Sequence, residues 1–412
     1  MSKSYDNTPI TTNIYKYQAT GYYILGKEKY PIDYSNFRSI VIDHDYDKNN
    51  MPLIYIILNL SSKVIDLIVK NKDTGVFIIN IQKCIDNSDM PDLWKDYVND
   101  TFIYFTTEDI NKTDERDYEN SNEGREDIYK EITLGLLSQK LVNNNKKTVN
   151  GILNCDNMAS AVAYTIGYNL PLVMEPFENN NPVSGVLLPP MNSVSKSIEY
   201  LNGIKTFYNS KYLWYMDFDT SYLLSSRGKG VPRKGEQANS VMFVLRNDYD
   251  ESSKLQGMTI DENNRYYNIE VSGTNVEVAD YRDKNKQYSK VNYVDTSGNN
   301  STYTIHNQTN TDNFVSKAIN VRVPNDNTGL ITNSAKTSNF FISINKTDID
   351  ASIITPNKEF IINAEGAYKG CGYSGKFLLK RKRELYFKST GGSSDNKLTL
   401  STLLFFEKVY EE

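Results

Sequence analysis

Histidine is almost absent from the chain. Two stand among 412 residues, His44 and His306, which argues against most histidine-based acid–base catalysis and against His-rich metal sites. Cysteine is nearly as scarce. Cys84, Cys155 and Cys371 are odd in number and far apart, so neither a disulfide scaffold nor a paired-cysteine zinc site is expected. No apolar run approaches the roughly 20 residues that a membrane helix needs, and membrane insertion is not expected. The opening segment MSKSYDNTPITTN lacks the apolar stretch of a secretory signal. A basic surplus is missing too: 46 Lys and Arg face 51 Asp and Glu, a net charge of −5. A general nucleic-acid binder normally has the opposite sign.

Tyrosine and asparagine are abundant, with 31 and 48 residues. Asn bonds local backbone and so favours turns and caps; Tyr favours strands and amphipathic surfaces. Together they predict many short strands joined by Asn-rich turns. An A+T-rich genome is a sufficient source of this bias, so composition alone implies no function. At about 150 residues per domain, the length predicts two or three.

The pattern divides the chain into five parts. Residues 1–107 carry strand-like runs at 37–43, 53–60, 76–81 and 102–105. Ser61–Ser62 offer an N-cap for a short helix with Val64, Leu67 and Ile68 on one face. Residues 108–131 hold ten acidic and four basic side chains and read as an exposed acidic segment. Residues 132–232 read as α/β. Met158, Val162 and Ile166 mark one helix, and Val194, Ile198, Leu201 and Ile204 mark a second, capped by Asn192 or Ser193. An aromatic hairpin follows, Tyr212–Asp219 then Tyr222–Leu224, and the Val194 stripe should pack on Trp214, Tyr215 and Phe218. Residues 233–337 form a polar β-rich region. Residues 338–412 regain apolar strands around 340–344, 360–363, 376–379, 384–387 and 403–406. The fold class is mainly β with a central α/β module.

Catalytic motifs are weak. There is no G-x-S-x-G elbow. Cys155 opens a helix pattern, where a dipole can activate a thiol, but a small buried apolar role suits it better. Two carboxylate sets could serve glycosidase or Ca²⁺ chemistry: Asp43, Asp45 and Asp47, and the pair Asp217 and Asp219. Turn and hairpin roles are the default for both. The stretch Arg227–Gly235 is glycine-rich and basic, yet lacks the P-loop ending. Lys380, Arg381, Lys382 and Arg383 form a cationic run that could be an interface for an anionic partner such as the acidic segment of another subunit. Protection of an exposed strand edge is the alternative. No catalytic, cofactor or metal set is implied.

The order of parts carries more information than any single site. Val186–Asn202, Phe207–Tyr208, Tyr215–Asp219 and Tyr222–Leu224 lie between two β-rich ends. Ile40–Asp45, Met51–Tyr55 and Leu58–Ser61 belong to the first end. Thr355–Phe360, Gly370–Phe377 and Glu384–Phe387 belong to the second. This arrangement resembles the baseplate hub proteins of contractile phage tails and related injection systems. The resemblance implies a structural, non-enzymatic homotrimer. Its two tube-type β-barrels per chain would form a pseudo-hexameric ring that joins the sixfold tail tube to the threefold central spike, beside baseplate wedge or other tail proteins. DNA would pass an axial channel without specific binding, and the site of action would be the virion. A carbohydrate-cleaving enzyme using Asp217 and Asp219, and a glycan-binding tail adhesin, are the competing readings.

Overall fold

The computed structural model describes residues 15–85, 94–105, 129–167, 169–180, 182–227, 230–233, 240–246, 266–272, 276–280, 287–294, 300–307, 319–322, 340–346, 351–364, 373–388 and 397–409. The first part of the chain holds β1 (Tyr15–Leu25), β2 (Glu28–Ile32), β3 (Phe37–Asp45), β4 (Leu53–Ser61), α1 (Ser62–Lys70), β5 (Val76–Ile85), β6 (Lys95–Tyr104) and β7 (Tyr129–Ser138). A smaller mixed unit follows: α2 (Gln139–Lys146), β8 (Gly151–Leu153), α3 (Met158–Ile166), β9 (Leu172–Met174), β10 (Val186–Leu188), α4 (Val194–Ile204), β11 (Tyr212–Met216) and β12 (Ser221–Ser225). The remainder is strand: β13 (Ser240–Arg246), β14 (Tyr266–Ser272), β15 (Val276–Asp280), β16 (Gln287–Val294), β17 (Asn300–Asn307), β18 (Ile319–Arg322), β19 (Phe340–Lys346), β20 (Glu359–Ala364), β21 (Gly375–Lys388) and β22 (Leu398–Val409). The protein is mainly β. Most of the acidic segment 108–131 lies outside the described residues; its last three residues begin β7.

Alternation builds the strands. In β4, Ile54, Ile56, Leu58 and Leu60 are buried while their neighbours are half-exposed, the period of a pleated strand with one covered face. The same rhythm in β22 buries Leu398, Leu400, Leu404 and Phe406. Three helices start on side-chain caps: Ser138 accepts from Leu141 N–H, Asn157 from Ser160 N–H, and Ser193 from Lys196 N–H. Each satisfies an otherwise orphaned first-turn donor. Ser61 occupies the cap position of α1, but its side chain makes no cap bond.

Most strands join one sheet, in the order β14-β13-β20-β21-β3-β4-β7-β6-β5-β1-β22-β19-β15, with β2 on β1. β21 also pairs with β22, so the eight strands from β21 through β3 and β1 to β22 form a closed circuit of pairings. β21 serves two neighbourhoods. Its Gly375–Phe377 part pairs with β20, and Arg381–Phe387 pairs with β3, with a shift of register between Leu379 and Arg381. Inside the circuit lies an aromatic and aliphatic core that includes Tyr17, Tyr23, Phe37, Phe77, Phe102 and Tyr386. A second core joins Phe243, Phe360, Phe377 and Phe406 to Tyr46, Tyr215 and Tyr222. A third belongs to the mixed unit and contains Met158, Val162, Ile198, Leu201, Phe207 and Trp214.

β1 and β5 approach closely at Gly21. A Cβ there would stand 2.4 Å from the carbonyl oxygen of Ile78. Backbone cannot yield as a side-chain tip can. Gly21→Ala is therefore expected to destabilise the protein by about 1–3 kcal/mol, the cost of overpacking, and a thermal-unfolding comparison checks it.

The stripe on α4 is shorter than its spacing predicts. Val194, Ile198 and Leu201 are buried, whereas Ile204 is 48% exposed. It sits in the last turn, where the chain leaves the helix at Lys205. The hairpin also divides its aromatic residues. Trp214 joins the α4 core and Tyr215 faces the second core, because neighbouring residues of a strand point to opposite faces.

Candidate functional site

Two motifs that stand 338 residues apart meet in register. β21 pairs with β3 so that Arg381 opposes Asp45, Lys382 opposes His44 and Arg383 opposes Asp43. A cationic run thus lies directly across from Asp43-His44-Asp45. Opposite charges at facing positions are favourable cross-strand pairs.

The outward-facing members form one set. Asp43 accepts from Arg381 Nε at 2.7 Å, from Arg381 Nη2, and from Arg383 Nη2 at 3.2 Å. Burial pushes the Asp43 carboxyl up, but the two guanidinium groups outweigh it and hold the group below its ordinary value. Asp45 binds its own turn, accepting from the Asp47 and Lys48 N–H groups. At the register shift, Lys380 lies 2.7 Å from Asp47 and 2.9 Å from Glu407. Burial lowers its pKa; the two carboxylates prevail and raise it.

The inward-facing members form a buried cluster around Glu384, which is 0% exposed. Its Oε1 is 2.8 Å from Lys382 Nζ and 3.6 Å from His44 Nε2. Tyr97 donates to both oxygens at 2.9 and 3.0 Å, and Tyr386 donates to Oε2 at 2.6 Å. Lys382 also donates to the Ala351 carbonyl at 3.1 Å. His44 Nδ1 lies 3.0 Å from the Tyr215 hydroxyl, within hydrogen-bond distance. This arrangement ties β3 and β21 to β11 of the mixed unit. Burial raises the Glu384 carboxyl, but Lys382 and His44 dominate and hold it well below the carboxylate range. Burial also pushes the Tyr97, Tyr215 and Tyr386 hydroxyls well above their ordinary value, so they act as fixed donors.

The cationic run is therefore not a free patch. Lys382 is 2% exposed and Lys380 is held by two carboxylates; Arg381 and Arg383 are the more exposed members. Nor does it guard an edge, since β21 has strand neighbours on both sides. Sequence reading singled out both the acidic and the basic motif but missed their pairing. The only signal was the opposite sign of the two runs, which carries no register.

A group with a depressed folded-state pKa stabilises the fold fully above its unfolded pKa, about 4.3 for Glu. That stability is lost as pH falls toward the folded value. Glu384 and Asp43 both have this sign. Urea midpoints measured from pH 6 down to pH 2 should fall below about pH 4.5, and Glu384→Gln should make that acid limb shallower.

The other candidates are structural. Asp217 is buried and binds the N–H of Phe218, while Asp219 is exposed and lies 3.8 Å from Arg233. The two carboxylates thus lie in different surroundings, one buried and one in solvent. Arg233 lies over the Tyr222 ring at 5.3 Å and Arg227 pairs with Glu178; residues 228, 229, 234 and 235 of that loop lie outside the described residues. Burial, with Asp156 adding to it, pushes the Cys155 thiol up, the opposite of an activated nucleophile. No cluster of potential metal ligands occurs among the described residues.

A family model described as the bacteriophage PBS1 gene 109 protein matches residues 9–403. No curated protein matches the chain. Among solved structures, the chain is similar to the tail protein from Neisseria meningitidis MC58, at 11% identity and a TM-score of 0.46, over 95% of this chain and 97% of that one. The 43 kDa tail protein of prophage MuSo2 from Shewanella oneidensis is 8% identical with a TM-score of 0.45, over 96% and 97%. A Francisella PdpA–VgrG complex is 10% identical with a TM-score of 0.47, over 97% of this chain and 54% of that one.

Proposed function

The chain belongs to the family of the bacteriophage PBS1 gene 109 protein, and from that premise we propose that it is a structural hub of a phage tail baseplate. The observation that carries the proposal is the closed eight-strand circuit, continued past β21 by β20, β13 and β14 and past β22 by β19 and β15 around a second core. Two barrel-like β-units per chain become six in a homotrimer, which matches a sixfold neighbour while keeping threefold symmetry. In this reading the trimer joins the tail tube protein to the central spike protein and touches wedge or neighbouring tail proteins. DNA passes its axial channel without specific binding, in keeping with the net charge of −5. The function is structural and needs no catalytic residue or cofactor. Arg381 and Arg383, the outward members of the basic run, serve at a protein interface.

Native mass spectrometry at micromolar concentration tests the assembly. The expected species is three times 47.1 kDa. A strict monomer, alone and with tail partners, would overturn the hub.

A further inference from the structure

A cleft of about 560 Å³ opens where the β3–β4 turn, the mixed unit and β21 meet. Its size lies within the range of ligand sites, roughly 300–1,000 Å³. We propose that this cleft binds an extended acidic polypeptide segment of a neighbouring protein by strand addition to the free edge of β11.

The backbone on both sides motivates this. β11 pairs with β12 along one edge only. On the other edge, Met216 N–H donates to the Asn50 carbonyl, whereas the Lys211 carbonyl faces β12 and accepts from Ser226 N–H. Alternation then directs the main-chain groups of Tyr212 and Trp214 outward, along with those of Met216. No partner takes the Tyr212 and Trp214 groups on that edge among the described residues. Across the cleft, Leu378 and Leu379 form the opposite wall and pair with Glu407 and Phe406 of β22. The outer edge of β11 thus offers main-chain positions that a strand can use.

Side chains make a second, independent case. Three cleft-lining residues that are more than nine-tenths buried have polar atoms with no partner among the described residues: Trp214 Nε1, Ser225 Oγ and the Tyr46 hydroxyl. Buried polar groups are nearly always bonded, and an indole N–H can only donate. Charge selects the ligand's sign. Four lysines line the cleft against two carboxylates, Asp47 and Glu199. Lys196 is paired with Glu199, and Lys380 holds Asp47 at 2.7 Å together with Glu407 behind the wall. Lys211 lies only 4.0 Å from that shared Asp47, and Lys48 has no ion pair among the described residues. Two exposed cations flank an open strand edge, which suits carboxylates spaced along an extended peptide.

The inference goes beyond the hub reading and does not depend on the trimer. The test uses the full chain and a fluorescent peptide of alternating Glu and Val, with its Lys–Val counterpart and a DNA oligonucleotide as comparisons. Fluorescence anisotropy should show the acidic peptide binding at least tenfold more tightly than either comparison. The exposed double variant Lys48→Glu/Lys211→Glu should weaken it at least tenfold. Hydrogen exchange at the Tyr212 and Trp214 amides should slow at least tenfold when the peptide is bound. Absence of binding, equal binding by the variant, stronger binding of the oligonucleotide, or unchanged exchange at those two amides would each overturn the proposal.

Discussion

Glu384→Ala is expected to destabilise the protein by about 3–5 kcal/mol, the cost of breaking a buried ion pair by removing one member. The loss has identifiable parts. The Lys382 ammonium, 2% exposed, keeps only the Ala351 carbonyl. The Tyr97 and Tyr386 hydroxyls lose their acceptor, and each unpaired buried group adds its own desolvation cost. Removing both charges together is different. Lys382→Met/Glu384→Leu should recover much of the loss, because apolar replacement of an entire buried pair is often neutral. Urea unfolding of the parent, the single variant and the double variant checks both statements. A single-variant loss below about 1 kcal/mol would mean that the cluster is solvated. A double variant no better than the single would mean that the charges are not coupled.

Ile198→Asp is expected to cost several kcal/mol, because an isolated carboxylate would enter the third core without a partner. Ile198 is 0% exposed and packs in the cluster that contains Leu201, Phe207 and Trp214. Ile204→Asp, one turn and a half further along α4, should change stability by no more than about 0.5 kcal/mol, since that side chain is already half in water. Thermal melts of the two variants separate a buried stripe from an exposed helix end. Equal effects would contradict the placement of α4.

The sequence exposes its elements more readily than their partners. The Val64–Ile68 spacing marks α1, the Met158–Ile166 spacing marks α3, and Ser193 caps α4 as its side chain permits. These are local signals, set within one or two turns. Ile204 escapes the rule because periodicity carries no information about where a helix stops being covered. Long-range register is harder still. Asp43-His44-Asp45 is legible as alternating acidic positions and Lys380–Arg383 as an unbroken cationic run, yet nothing within either run says that they face one another across 338 residues. Glu384 shows the limit most clearly. As one glutamate after four cations it reads as surface charge, whereas the strand's twofold period carries it inward with Lys382, beside Tyr386 of its own strand and Tyr97 of β6. The cleft beside β11 leaves no local trace, because its walls come from six separate stretches of chain.

β21 and β22 contribute side chains to both the first and the second core, and their pairing runs through twelve positions from Lys376–Val409 to Lys388–Leu398. Antiparallel ladder bonds lie perpendicular to the strands. A pull along these strands therefore loads the ladder in shear, with many bonds sharing the force at once rather than opening one after another. The two cores are consequently joined by a splice rather than by a hinge: mechanical load applied around one passes to the other through a long, bonded overlap, and neither can be peeled away while that overlap stays intact.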